Sequence, residues 1–133
     1  MKAGLLLITH GRLGSDLLST VTSILDGNSI AAEAIAVRYD SEPDTVYEAA
    51  SQACKRLDRG NGVLVLTDLY GSTPSNIANR LIDRHAAIVI SGVNLPMLLR
   101  IMNYPDMNIE QLAEKAVSGA CDGVILTKRK QAS

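Results

Sequence analysis

A chain of 133 residues with 47% hydrophobic and 20% charged side chains is long enough to bury one core and too apolar to be disordered. A formal charge of -1 argues against a binder of nucleic-acid phosphates. With 3% aromatics, no Trp and no Phe, base-stacking platforms are also in short supply.

In chain order, Ala3-Gly4-Leu5-Leu6-Leu7-Ile8-Thr9 reads as a buried parallel strand, closed by His10 and Gly11. Met1-Lys2 ahead of this run imitates a leader, but the run is short and His10-Gly11-Arg12 interrupts it. A first helix is predicted over 15–26, with Leu17, Leu18, Val21, Ile24 and Leu25 at helical spacing and Gly27 as its stop. A second strand follows over 30–37. Ser41-Glu42-Pro43 opens a helix to about residue 58, and Gly60-Asn61-Gly62 turns into the strand Val63-Leu64-Val65-Leu66, ending at Thr67-Asp68. Thr73-Pro74 is placed as cap and first residue of a third helix to about 83, and a fourth strand covers 86–90. Asn94 caps a short helix to about 102, and Asn108 opens a last one to about 120. Gly123-Val124-Ile125-Leu126-Thr127 is predicted as a final strand, and Lys128-Arg129-Lys130 as a solvated tail. No run approaches the ~20 apolar residues of a membrane span. Cys54 and Cys121, without CxxC or Cys/His spacing, read as buried thiols. The expectation is one cytoplasmic domain over 1–133.

The alternation of strands and helices predicts an α/β fold: a doubly wound, mostly parallel sheet with helices on both faces. With the second strand outside the first and the third beside it, the order is 2-1-3-4, and ligands bind where helices change faces. Three segments then share the carboxyl edge: His10-Gly11, Asp68 with Gly71-Ser72-Thr73-Pro74-Ser75-Asn76, and Ser91-Gly92-Val93-Asn94. A lone strand-end histidine can simply bond the backbone. Beside a carboxylate it gains a fixed tautomer and a free nitrogen, the requirement of a base or nucleophile. Asp68 could equally be a strand-end cap, and Ser72 and Thr73 could only cap their helix. A hydroxyl-rich approach to a helix N-terminus also suits an anion such as a phosphoryl group. Together these features suggest phosphoryl transfer through phosphohistidine. A hydrolase using Ser72 lacks the G-x-S-x-G elbow, and neither a P-loop nor a G-x-G-x-x-G fingerprint is present. His85, before the fourth strand, falls at the opposite edge and reads as a solvated loop histidine.

Thr9-His10-Gly11, the run from Asp68 to Asn76, and Gly92-Val93-Asn94-Leu95-Pro96-Met97 together resemble the IIA domain of the mannose-type sugar phosphotransferase system, over essentially the whole chain. The resemblance implies a phosphocarrier needing no cofactor or metal. His10 would accept a phosphoryl group from the histidine phosphocarrier protein and pass it to a separate IIB protein, serving a IIC/IID membrane permease indirectly. Asp68 would orient the imidazole, and the approach through Gly71, Ser72 and Thr73, read above from the residues as an anion cradle or a plain helix cap, would then lie beside the phosphoryl group. Arg12 stands where many relatives carry another residue and could tune the surface to a partner; the apolar Leu95, Met97 and Leu98 near the same rim could dock that partner or equally pack in the core. It also implies a homodimer, in which the C-terminal strand pairs antiparallel with the partner copy. The alternative is a regulatory phosphorelay or binding protein that signals phosphorylation state to a kinase or transcription regulator.

Overall fold

Leu5, Leu6, Leu7 and Ile8 are all inaccessible to solvent, which four consecutive residues of a strand achieve only when both faces are covered. In the computed structural model, which describes residues 2–130, they form the middle of β1 (Gly4–His10). The chain continues through α1 (Leu13–Leu25), β2 (Ala32–Val37), α2 (Pro43–Leu57), β3 (Val63–Thr67), α3 (Thr73–Leu81), β4 (Ala87–Ser91), α4 (Leu95–Met102) and α5 (Ile109–Asp122). The four strands are parallel in the order β2-β1-β3-β4. The fold class and strand order read from the sequence are therefore those of the structure.

Alternation along each strand divides the core. Leu5, Leu7, Leu64 and Leu66 pack on one face with Val21 of α1, Leu98 and Ile101 of α4 and Leu112 of α5. Leu6, Ile8, Val63 and Val65 pack on the other with Ala50 and Cys54 of α2 and Ile77 and Leu81 of α3. The period of two in a strand thus sends successive residues to different helix layers. The chain crosses from one layer to the other between β1 and β3, and the carboxyl edge there is the topological switch point.

Several local expectations shift. Helix α1 begins at Leu13 with Arg12 as its N-cap, and it ends on Asp26 in the left-handed region at φ 55, one residue before the predicted glycine stop. The cap of α3 is Ser72, so Thr73 is already helical. Asn94 and Asn108 do cap their helices, accepting from the amides of Met97 at 2.8 Å and Gln111 at 2.9 Å. Helix α5 runs to Asp122, and residues 123–127 then join no ladder among the described residues. The final strand therefore has no partner among the described residues of one chain, and the pairing expected for it is with a second copy. Its apolar side chains, Val124, Ile125 and Leu126, are exposed. A strand needs a neighbour to take up its backbone groups, and the alternation of side chains does not supply one. Cys54 is buried, whereas Cys121 is exposed near the end of α5, so only one of the two thiols is a core residue. Among the described residues no helix is long and apolar enough to cross a membrane.

Candidate active site

β1 and β3 are registered through Ile8↔Thr67, so His10 and Asp68 leave the sheet side by side at its carboxyl edge. Gly11 then turns the chain away at φ +51, a conformation with little cost for glycine, and its amide returns to the carbonyl of Val37 at 2.9 Å. Behind this turn the buried Thr9 accepts the amide of Gly14 on its Oγ1 at 2.8 Å, tying the first turn of α1 to the end of the strand.

The contact between the two residues is double. The backbone N–H of His10 donates to Asp68 Oδ2 at 3.0 Å, and the ring Nδ1 lies 2.8 Å from the same oxygen. An ionised carboxylate only accepts, so in the neutral ring Nδ1 carries the proton and Nε2 the lone pair. Asp68 Oδ1 accepts the amide of Leu69 at 3.0 Å, which fixes the carboxylate from its other side. Burial alone would raise the Asp68 pKa. The His10 amide, the His10 ring and the local backbone outweigh that effect and hold the carboxyl below its ordinary range. The Asp68 side chain is 12% exposed and that of His10 is 54% exposed. The structure therefore presents a half-open imidazole, held through Nδ1 by a sheltered anion, with no partner on Nε2 among the described residues.

Beside the pair lies the approach to α3. Gly71, at φ +82, has open space where a Cβ would stand. Ser72 does not cap the helix with its side chain: its hydroxyl donates to the carbonyl of Leu69, as its amide does at 3.3 Å. The Thr73 amide meets no acceptor among the described residues, and its side chain is exposed, so this helix end keeps an N–H and a hydroxyl available. The third segment is tied in from the side. Thr67 Oγ1 donates to Ser91 Oγ at 2.9 Å, and the Thr67 carbonyl accepts the amides of Gly92 at 2.9 Å and Val93 at 3.0 Å.

Two expected site residues fall elsewhere. Met97 is 1% exposed and Leu98 is fully buried in the core against α1 and α5, so neither can dock a partner; Leu95 is only partly exposed. Of the two readings of this stripe, core packing is the one the structure bears out for Met97 and Leu98. His85 is at the amino edge as expected but is not simply solvated: its Nε2 lies 2.8 Å from Oγ of the buried Ser51. In contrast, the sequence reading overlooked an exposed apolar collar around His10. Leu13, Tyr39, Leu69 and Tyr70 are all exposed, Tyr39 completely. The available signal was topological. Tyr39 lies just beyond Val37, the residue paired with His10 in the β1–β2 register. The two remaining tyrosines are each covered by a cation, Tyr47 by Arg80 and Tyr104 by Lys115. Among the described residues, no three His, Cys, Asp or Glu side chains converge as metal ligands.

Comparison with known proteins places this edge in context. Residues 4–117 match the family described as the PTS system fructose IIA component. The mannose-specific EIIAB component of Escherichia coli is 31% identical over 98% of the chain, which spans 41% of that protein's length. The Bacillus subtilis transcriptional regulatory protein LevR is 26% identical over 99% of the chain, which covers 14% of that protein. The mannose/sorbose-specific IIA subunit from Enterococcus faecalis superposes over the whole of both chains with a TM-score of 0.86 at 25% identity. The match over 4–117 covers most of the chain, and with these relatives it shows that the chain belongs to the IIA family of the sugar phosphotransferase system, in its mannose/fructose/sorbose branch.

Proposed function

We propose that this protein is a phosphocarrier whose His10 accepts a phosphoryl group on Nε2 from a histidine phosphocarrier protein and passes it to a IIB protein. The observation that carries the reading is the 2.8 Å contact between Nδ1 and Asp68. It commits the ring to the tautomer with a nucleophilic Nε2 and directs the other nitrogen at a sheltered carboxylate. As Nε2 attacks phosphorus, positive charge develops on the ring. Asp68 then stabilises the Nδ1–H imidazolium until the group is handed on. The free amide and hydroxyl of Thr73, with Gly71 leaving the approach open, are suited to the phosphoryl oxygens. No metal is needed for the step, because a phosphohistidine donor already carries an activated P–N bond. Transfer between two such donors is mostly a matter of positioning. The exposed collar of Leu13, Tyr39, Leu69 and Tyr70 offers the apolar and aromatic surface on which a carrier protein would seat, with Arg12 at its margin.

The test is phosphorylation from phosphoenolpyruvate through the two general phosphotransfer proteins. His10→Ala should abolish the acid-labile label, whereas His85→Ala should leave it intact. Label retained in His10→Ala would sink the assignment.

A second reading is favoured by the likeness to the regulator LevR over nearly the whole chain. On that reading the phosphorylated site reports phosphotransfer flux to a regulatory partner. If the unphosphorylated and phosphorylated proteins differ in binding such a partner, and no IIB protein accepts the label, this reading replaces the transport role.

We also propose that two copies associate through the exposed 123–127 segment. The outer edge of β4 is unpaired in the sheet. Beside it lies an apolar hollow of about 460 Å³ lined by Ile88, Ile90, Ala113, Val117 and Ser118 among others. A strand bearing Val124, Ile125 and Leu126 from a second copy would close that edge.

A further inference from the structure

Arg56, Arg80 and Arg100 each close an ion pair, with Glu33, Asp44 and Asp122. Arg12 and Arg38 do not, and neither guanidinium has a hydrogen-bond partner among the described residues. Arg59, Arg84 and Arg129 are unpaired as well, but the first two precede β3 and β4 and so lie at the far edge of the sheet, and Arg129 lies in the segment after α5. The two at the carboxyl edge flank His10. Arg12 follows it by two residues as the N-cap of α1, and Arg38 follows Val37, the register partner of His10. Adjacent strands are only about 4.8 Å apart, so both guanidinium groups, on their long stems, can reach the space around the imidazole.

Their backbones are pinned while their heads are free. The Arg12 carbonyl accepts from Ser15 Oγ at 3.1 Å and from the Asp16 amide at 2.9 Å. The Arg38 amide donates to Ser41 Oγ at 2.8 Å, and its carbonyl accepts the Ser41 amide at 3.0 Å. The carboxylates nearby do not occupy the two arginines: Asp68 is engaged by His10, and Asp16, Asp40 and Glu42 form no ion pair.

We infer that Arg12 and Arg38 close on the phosphoryl group carried by His10, so that this chain neutralises its own phosphorylated state. The inference rests on the phosphocarrier reading. A guanidinium presents its N–H groups as a planar fork that matches two phosphoryl oxygens, and it cannot lose its charge near neutral pH. The helix end at Thr73 supplies donors on one side of the imidazole. The arginines supply the full charges that a newly formed dianion lacks beside the carboxylate of Asp68.

Potassium phosphoramidate, a small donor with no protein surface, isolates this contribution from docking. Nε2 of His10 attacks phosphorus, the donor's P–N bond breaks, ammonia leaves, and the ring keeps its Nδ1 proton against Asp68. At low salt the rate should fall roughly threefold to tenfold in Arg12→Gln and in Arg38→Gln, and more in the double variant, with all forms converging at high salt. Phosphorus NMR titration should show the second phosphoryl pKa rising by roughly half a unit for each charge removed. Arg12→Lys, which keeps the charge, should retain most of the wild-type behaviour. A double variant with wild-type rate, salt dependence and phosphoryl pKa overturns the inference while leaving the carrier intact. No label on His10 in the wild-type protein overturns the carrier reading, and this inference with it.

Discussion

Asp68 meets opposing demands: it is sheltered enough to be penalised as an anion, yet it must remain one. Three hydrogen bonds settle the matter, from the His10 amide, the His10 ring and the Leu69 amide. Asp68→Asn keeps an acceptor oxygen but removes the charge that, under the proposed function, stabilises the imidazolium. Phosphoryl uptake from the carrier protein should therefore slow by about a hundredfold in rapid-quench measurements, with the fold intact by circular dichroism. The same carboxylate makes a pH statement. Its folded pKa is below the ordinary 3.8, so its contribution to stability is complete above that value and is lost as pH falls through the lower folded one. Urea midpoints compared at about pH 5 and about pH 3 should fall less in Asp68→Asn than in the wild type. The two thiols separate as sharply. Burial raises the Cys54 pKa to about 11, with Asp58 adding to the effect, whereas Cys121 is exposed. A thiol-reactive dye near pH 8 should titrate Cys121 at once and Cys54 only on unfolding.

Helices and strands were legible wherever the hydrophobic period was long. β1 and β3 could be read from unbroken runs of Leu, Ile and Val, and both asparagine caps from their place before apolar stretches. Helix ends were less so. Arg12 has none of the side-chain chemistry of a cap, and α1 begins there because Thr9 Oγ1 captures the Gly14 amide, a tertiary contact without a sequence signature. The stripe on α4 shows the matching limit. Leu95, Met97 and Leu98 are apolar whether they face a partner or the sheet, and only the packing of α4 against α5 decides that Met97 and Leu98 face inward. Close approach between elements was equally silent. A Cβ on Gly4 would stand 2.6 Å from the carbonyl oxygen of Leu57, where β1 passes the end of α2. Backbone on one side and a helix terminus on the other cannot move independently. Gly4→Ala should destabilise the protein by about 1–3 kcal/mol, read as a lowered urea midpoint with unchanged slope.

At the scale of the whole molecule, the parallel order could be deduced from alternation and connection rules, and with it the edge on which chemistry would gather. What one chain's pattern could not reveal is which surfaces are finished. The 123–127 segment has the period of a strand but no partner within its own fold, and β4 has an open side. Ile125→Asp should shift a dimer to monomer in analytical ultracentrifugation without altering the circular dichroism spectrum. A wild-type protein that is monomeric at high micromolar concentration would remove the proposed association. The sheet order also has a consequence in time. His10 and Asp68 are 58 residues apart in sequence, and β3, which Asp68 follows, pairs with β1 on the flank opposite β2. No local segment can assemble the pair, because closing so long a loop requires the central sheet to exist first. The imidazole–carboxylate pair therefore exists only in a chain whose third strand has docked, and under the proposed function phosphorylation of His10 would report completion of the central sheet.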